Sequence, residues 1–97
     1  MKIITDKICL WDGCGARLWS FVASHNVVTI RLHRVGVPGN VHIIIEGVMN
    51  ISCQVNWMNA KIRIHETPSG IKIVDIAANV KIEGISVRLE ENVDPVY

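Results

Sequence analysis

Apolar and polar residues alternate along most of this chain in short runs, the pattern of β-strands that bury one face. The clearest run covers 27–34: within it, apolar residues occupy positions 28, 30 and 32, and polar residues occupy positions 29, 31 and 33. Because the side-chain period of a strand is two, we expect Arg31 and His33 to share the polar face of this strand. Similar runs predict strands at 41–46, 51–57, 61–65 and 71–73.

Composition supports the same fold class. Val and Ile, which fit a pleated sheet better than a helix, supply 28 of the 97 residues. The connections are too short for crossover helices. The chain is therefore predicted to be a single all-β domain over 1–97, a small antiparallel sandwich or barrel of about seven to eight short strands. The tail from about residue 91 is expected to be loose.

Turn-forming residues separate these runs. Gly supplies positive φ, Pro fixes φ, and Asn tolerates the left-handed region, so such clusters mark chain reversals. They occur at 12–15, 24–26, 36–40, 47–50, 59, 67–70 and 78–79.

Two segments leave alternatives open. Residues 16–24 fit either a strand, which we favour, or a short helix. Near the C-terminus, apolar residues change from even positions (Val80, Ile82) to odd ones (Ile85, Val87), with Gly84 at the change. A β-bulge at Gly84 would absorb the extra residue, and a tight turn is the alternative.

Apolar surplus suggests association between copies. Ile43, Ile44 and Ile45 form an unbroken apolar run, as expected of a strand that is covered on both faces. The mean hydropathy is +0.31, which leaves apolar surface for a partner. We therefore expect these isoleucines to lie at an interface of a homo-oligomer, and another protein is a further possible partner.

Basic residues are concentrated in the first two thirds of the chain. Between residues 13 and 65 there are five Arg or Lys residues but a single acidic residue, Glu46. If their strands are neighbours, Arg31, His33, Lys61 and Arg63 form a basic strip that attracts an anionic ligand. Trp11, ahead of a turn, is placed at the rim of such a site. Solvent-facing strand residues are normally charged, however, and pairing with the acidic C-terminal strands explains the same pattern.

Other classes of partner are disfavoured. The isoelectric point near 7.8 is below the value above about 9 typical of nucleic-acid-binding domains. No stretch reaches the roughly 18 uncharged apolar residues of a membrane span, and the charges near the N-terminus differ from a secretory leader. The expected location is therefore the cytoplasm, without membrane or nucleic acid.

Catalytic and metal-binding signals are weak. Three cysteines, Cys9, Cys14 and Cys53, are too few and odd in number for a disulfide scaffold, and their spacing does not match a zinc site. Cys14 lies between two glycines and is the one candidate nucleophile, on a turn where it is expected to be exposed. No catalytic or cofactor motif accompanies it. We therefore expect a protein-interaction module without enzymatic activity, metal or cofactor. The first alternative is an anion- or small-ligand-binding module, and a Cys14-based enzyme is a less favoured one.

Overall fold

The computed structural model describes residues 2–92 and confirms the all-β prediction, with two antiparallel sheets packed as a small sandwich. One helix precedes the strands. The elements in the described part of the chain are α1 (Lys2–Cys9), β1 (Gly15–Val22), β2 (Val27–Arg34), β3 (Val37–Glu46), β4 (Asn50–Ser52), β5 (Asn56–Trp57), β6 (Arg63–Thr67), β7 (Gly70–Asp75), β8 (Val80–Gly84) and β9 (Ser86–Glu91).

The strands divide into a five-stranded sheet and a four-stranded sheet. Sheet I has the order β5-β1-β2-β3-β9, and sheet II has the order β4-β8-β7-β6. Each contains a meander of three consecutive strands, β1-β2-β3 in sheet I and β6-β7-β8 in sheet II. The turns between them follow the sequence signals: Asn26 has a φ of 52° and Asn79 a φ of 56°, the left-handed conformation that Asn tolerates.

The core lies between the sheets. Sheet I contributes Ile30, Ile43 and Ile45, and sheet II contributes Ile73 and Ile82, all 0% exposed. Burying each such side chain stabilises the fold by about 1.5–3 kcal/mol before entropy losses. The alternation in sequence therefore predicts correctly which strand face is inward.

The change of apolar parity near Gly84 arises neither from a bulge nor from a hairpin turn. β8 ends at Gly84 in sheet II, and β9 begins at Ser86 in sheet I, so the chain crosses between sheets at Ile85. The inward faces of the two sheets point towards each other. The inward-facing residues therefore change from even numbers in β8 to odd numbers in β9 where the chain passes from one sheet to the other. A Cβ on Gly84 would lie 2.7 Å from Cγ2 of Ile45, which explains the glycine at this close approach.

Two further expectations are corrected. Residues 51–57 do not form one strand: β4 joins sheet II, β5 joins sheet I, and Val55 between them is 69% exposed. Helix α1, which the strand pattern did not predict, places Ile4 and Ile8 one turn apart on the same face. Ile8 is 2% exposed, so the helix extends the core.

Segment 16–24 is a strand as favoured, since β1 covers Gly15–Val22. Glu91 is the last residue of β9. In the rest of the tail that was expected to be loose, the Asn92 amide donates to the Asn40 carbonyl oxygen at 2.7 Å, and residues 93–97 lie outside the described residues.

Candidate functional site

The residues predicted to form a basic strip occupy two different sheets. Arg31 and His33 project from the outer face of sheet I, whereas Arg63 is the first residue of β6 in sheet II and Lys61 precedes that strand. The outer faces of a sandwich point in opposite directions. The four side chains therefore do not form one site.

Arg63 is neutralised by an acid. Its Nη1 and Nη2 donate hydrogen bonds of 2.9 and 2.8 Å to the two carboxylate oxygens of Asp12. These bonds lower the pKa of Asp12 and raise the pKa of Arg63. The bidentate pair fastens the turn after α1 to β6, which is a structural role.

A cavity of about 460 Å³ lies beside Lys61, Arg63 and His65. Its wall includes Ile76, which is 84% exposed. Asp75, also in the wall, is 1% exposed and accepts hydrogen bonds from Trp57 Nε1 at 2.9 Å and from the Lys61 amide at 2.8 Å. With Asp12 and Asp75 close by, this region has little net charge.

Trp11 lies apart from both groups of basic residues, the one on sheet I and the one on sheet II. The guanidinium of Arg34 lies 4.6 Å from its ring centroid and donates to the carbonyl oxygen of Leu10. Trp11 lines a separate cavity of about 360 Å³ with Lys7 and Asn40. It does not join Arg31 and His33.

The outer face of sheet I instead brings Arg17 next to Arg31. The two arginines are directly opposite each other on β1 and β2, where opposing Cβ atoms lie about 4.5–5.5 Å apart. This register depends on an irregularity between Leu18 and Ser20, where Trp19 is the extra residue of a bulge. The bulge turns Arg17 outward while Leu18 stays against the core.

Arg31 is held in place by aromatic neighbours. Its guanidinium lies 4.6 Å from the ring centroid of Trp19, a cation–π arrangement. Its Nη1 donates to Nε2 of His42 at 3.1 Å. Because a guanidinium only donates, His42 must be neutral with the proton on Nδ1. Burial, and then the positive charge of Arg31, lower the pKa of His42, while Glu90 opposes them.

Gly15 lets the His33 ring lie against the strand. The two residues are in register on β1 and β2. A Cβ on Gly15 would lie 2.8 Å from both Cε1 and Nε2 of His33, too close for the ring to remain there. A glycine therefore places the imidazole beside the two arginines.

These side chains enclose a shallow cavity of about 280 Å³, lined by Arg17, Trp19, Arg31 and His33. We name it the arginine pocket. Across residues 2–92, neither Arg17 nor Arg31 has a carboxylate within ion-pair distance. The acids nearest along the sheet, Glu46 and Glu90, both bind Arg88. The pocket therefore carries two uncompensated positive charges.

Alternation along 27–34 predicts Arg31 and His33 on one face, but the sequence reasoning missed Arg17 and Trp19. The turn at 24–26 indicates that β1 pairs with β2, and so that residues near 17–19 lie beside Arg31. It does not give the correct partner of Arg17, because the bulge changes the register between the turn and Arg17.

The isoleucines predicted at an interface are buried within the chain. Ile43 and Ile45 are 0% exposed in the core, and Ile44 is 6% exposed on the outer face between Thr29 and Arg88. The run is thus covered on both faces, as expected, without a second chain. Contacts between copies would have to use other residues.

Cys14 is buried, contrary to the expectation of an exposed turn residue. It is 4% exposed, and burial raises the pKa of its thiol. Burial likewise raises the pKa of Cys53 to about 11. A neutral thiol is a poor nucleophile and metal ligand. Residues 2–92 include no group of three His, Cys, Asp or Glu side chains placed to hold a metal ion.

Comparison with protein families, with curated proteins and with solved structures finds no match to this chain. Over the described residues, no helix has the length and apolar character needed to cross a membrane.

Proposed function

We propose that this protein is a small anion-binding module and that the arginine pocket is its binding site. The observation that carries the proposal is the direct register of Arg17 with Arg31 without a carboxylate partner in residues 2–92. Like charges directly opposite each other destabilise a sheet. An anion between the guanidinium groups would turn this repulsion into two charge-assisted hydrogen-bonded contacts.

The surrounding residues support a preformed site. Stacking on Trp19 and the bond to His42 restrict the Arg31 side chain, which lowers the entropy lost when a ligand binds. Asn56, opposite Arg17 on β5, is neutral and adds no competing carboxylate. The site is open on the sheet face, so exchange with solvent is expected to be fast.

Sulfate titration followed by amide chemical shifts tests the proposal. At low ionic strength, with chloride as the reference anion, we expect saturable shifts on β1 and β2 around Arg17 and Arg31. Arg17→Gln or Arg31→Gln should weaken binding about tenfold, since each removes a charge-assisted contact.

Arg88→Gln is the matched control. Arg88 lies on the same sheet face but is bound by Glu46 and Glu90. The substitution changes net charge equally outside the pocket, so sulfate affinity should stay within about twofold. Equal losses in the Arg17 and Arg88 variants, or no saturable binding, would contradict the proposal.

We propose binding without catalysis. The buried Cys14 thiol, with its raised pKa, argues against a cysteine nucleophile. All three thiols are free, which supports a reducing, cytoplasmic compartment.

Association between copies is a second proposal, with a different surface from the one first expected. Ile76, in the turn after β7, is 84% exposed and lines a cavity with Val74 beside β6. Such exposed apolar surface favours contact between chains. If it does so here, sedimentation at tens of micromolar should show a dimer that Ile76→Asp dissociates and Ile85→Asp, at another exposed isoleucine, leaves intact. A strict monomer would exclude it.

A further inference from the structure

The charge of the arginine pocket indicates which anions it selects. Building on the proposed anion-binding function, we infer that its ligand carries a dianionic phosphoryl group, as in a small phosphomonoester. A single phosphoryl group bears a charge of about −1.5 to −2 near neutral pH and three strong acceptor oxygens. Both properties match the pocket better than a carboxylate does.

The charges facing the pocket come from four strands. β1 contributes Arg17, and β2 contributes Arg31 and His33. β3 contributes His42, which is neutral because its Nε2 accepts from Arg31. On β9, Arg88 binds both Glu90 and Glu46 of β3, so these three side chains keep one net negative charge among themselves, outside the lining of the pocket. Within the lining, apart from His33, two positive charges are left, which a dianion neutralises and a monoanion only halves.

The number of donors leads to the same ligand. A carboxylate has two oxygens and is matched by one guanidinium in a bidentate pair. Here two guanidinium groups line one cavity, and among residues 2–92 the one nitrogen of the pair that hydrogen-bonds another side chain is Nη1 of Arg31. A third acceptor oxygen allows both arginines to donate to the same group.

Trp19 and the cavity size limit the rest of the ligand. The indole forms an apolar wall beside the two arginines. The volume of about 280 Å³ is near the lower limit of ligand pockets, which begin at about 300 Å³. We therefore expect a small organic group on the phosphate, packed against the indole.

Three phenyl ligands separate charge from shape. Phenyl phosphate at about pH 8 is a dianion with three terminal oxygens. Benzenesulfonate has three oxygens but one charge, and benzoate has two oxygens and one charge. If charge decides, calorimetry at matched ionic strength should give phenyl phosphate about tenfold tighter binding than benzenesulfonate.

Lowering the pH provides a second, independent readout. The phosphate becomes a monoanion below its second pKa of about 6, so its advantage should fall towards that of benzenesulfonate by about pH 5. Sulfate, which remains a dianion, is the reference that cancels any change in His33 or His42. If the ratio of phenyl phosphate to sulfate affinity does not change, the inference is wrong.

The variants distinguish the inference from the function on which it depends. Arg17→Gln should reduce the preference for phenyl phosphate over benzenesulfonate about threefold, whereas Arg88→Gln should preserve it. Equal affinity for all three ligands, still weakened by Arg17→Gln, would overturn phosphoryl selection and leave anion binding intact. No binding of any ligand would overturn both. Inorganic phosphate identifies the source: tighter phenyl phosphate assigns an ester, and equal affinity assigns the free ion.

Discussion

Replacing Arg17 with Gln should stabilise the unliganded protein. Arg17 and Arg31 are opposite each other on adjacent strands without an acidic partner in the described chain. Two unit charges about 7 Å apart in a water-like dielectric repel by about 0.6 kcal/mol, within the range for cross-strand pairs. Glutamine removes this repulsion while keeping most of the aliphatic stem.

Thermal unfolding at low ionic strength measures the effect. For a domain of this size, a gain of about 0.6 kcal/mol raises the melting temperature by about 2–5 °C. The gain should disappear near 1 M sodium chloride, where the Debye length is about 3 Å. Arg88→Gln, which breaks two ion pairs on the same face, should lower the melting temperature slightly or leave it unchanged.

Sulfate binding should reduce or reverse this difference in stability between the wild type and the variant. Sulfate that binds only the folded state stabilises the wild-type protein by mass action, and it should stabilise Arg17→Gln much less. Excess sulfate is thus expected to raise the melting temperature of the wild type towards or above that of the variant. A variant that is less stable than the wild type at low salt in the absence of sulfate would refute the idea that the pocket stores electrostatic repulsion.

Three further predictions concern residues around the two sheets. Asp75→Ala leaves the Trp57 indole N–H without its acceptor and should cost about 3–5 kcal/mol in urea unfolding; Asp75→Asn, which can keep an oxygen at the Oδ2 position, should cost less than half of that. Gly15→Ala should weaken sulfate binding several-fold with little loss of stability, because the new Cβ displaces only the His33 ring. Because the pKa of His42 is lowered from 6.5 in the folded state, the unfolded chain binds the proton more readily; the free energy of unfolding should fall as the pH drops below about 6.5, and His42→Gln should reduce this slope.

Strand alternation predicts the local structure of this chain well, because burial of one face imposes a period of two on the sequence. Segment 27–34 coincides with β2, and its outward residues are those predicted. What alternation does not encode is which sheet a strand joins. The run 51–57 reads as one strand, yet β4 and β5 belong to different sheets, since pairing depends on distant partners.

The candidate site was only half predictable for a related reason. Counting back from the β1–β2 turn, where Val22 is opposite Val27, places Arg17 opposite Leu32, with its side chain towards the core. The bulge at Trp19 shifts the register by one residue and brings Arg17 opposite Arg31 instead. Neither Trp19 nor the residue on either side of it is a glycine or another residue type that indicates a bulge in the sequence.

The two meanders have a consequence for how the molecule forms. β1-β2-β3 and β6-β7-β8 are each joined by short local turns, whereas β9 reaches β3, and β5 reaches β1, only across tens of residues. Each meander can form early, but each exposes its aliphatic inward face to solvent until the two sheets pack together. Their encounter is therefore the slow and hazardous stage of refolding, and yield from denaturant should depend more on protein dilution than on time.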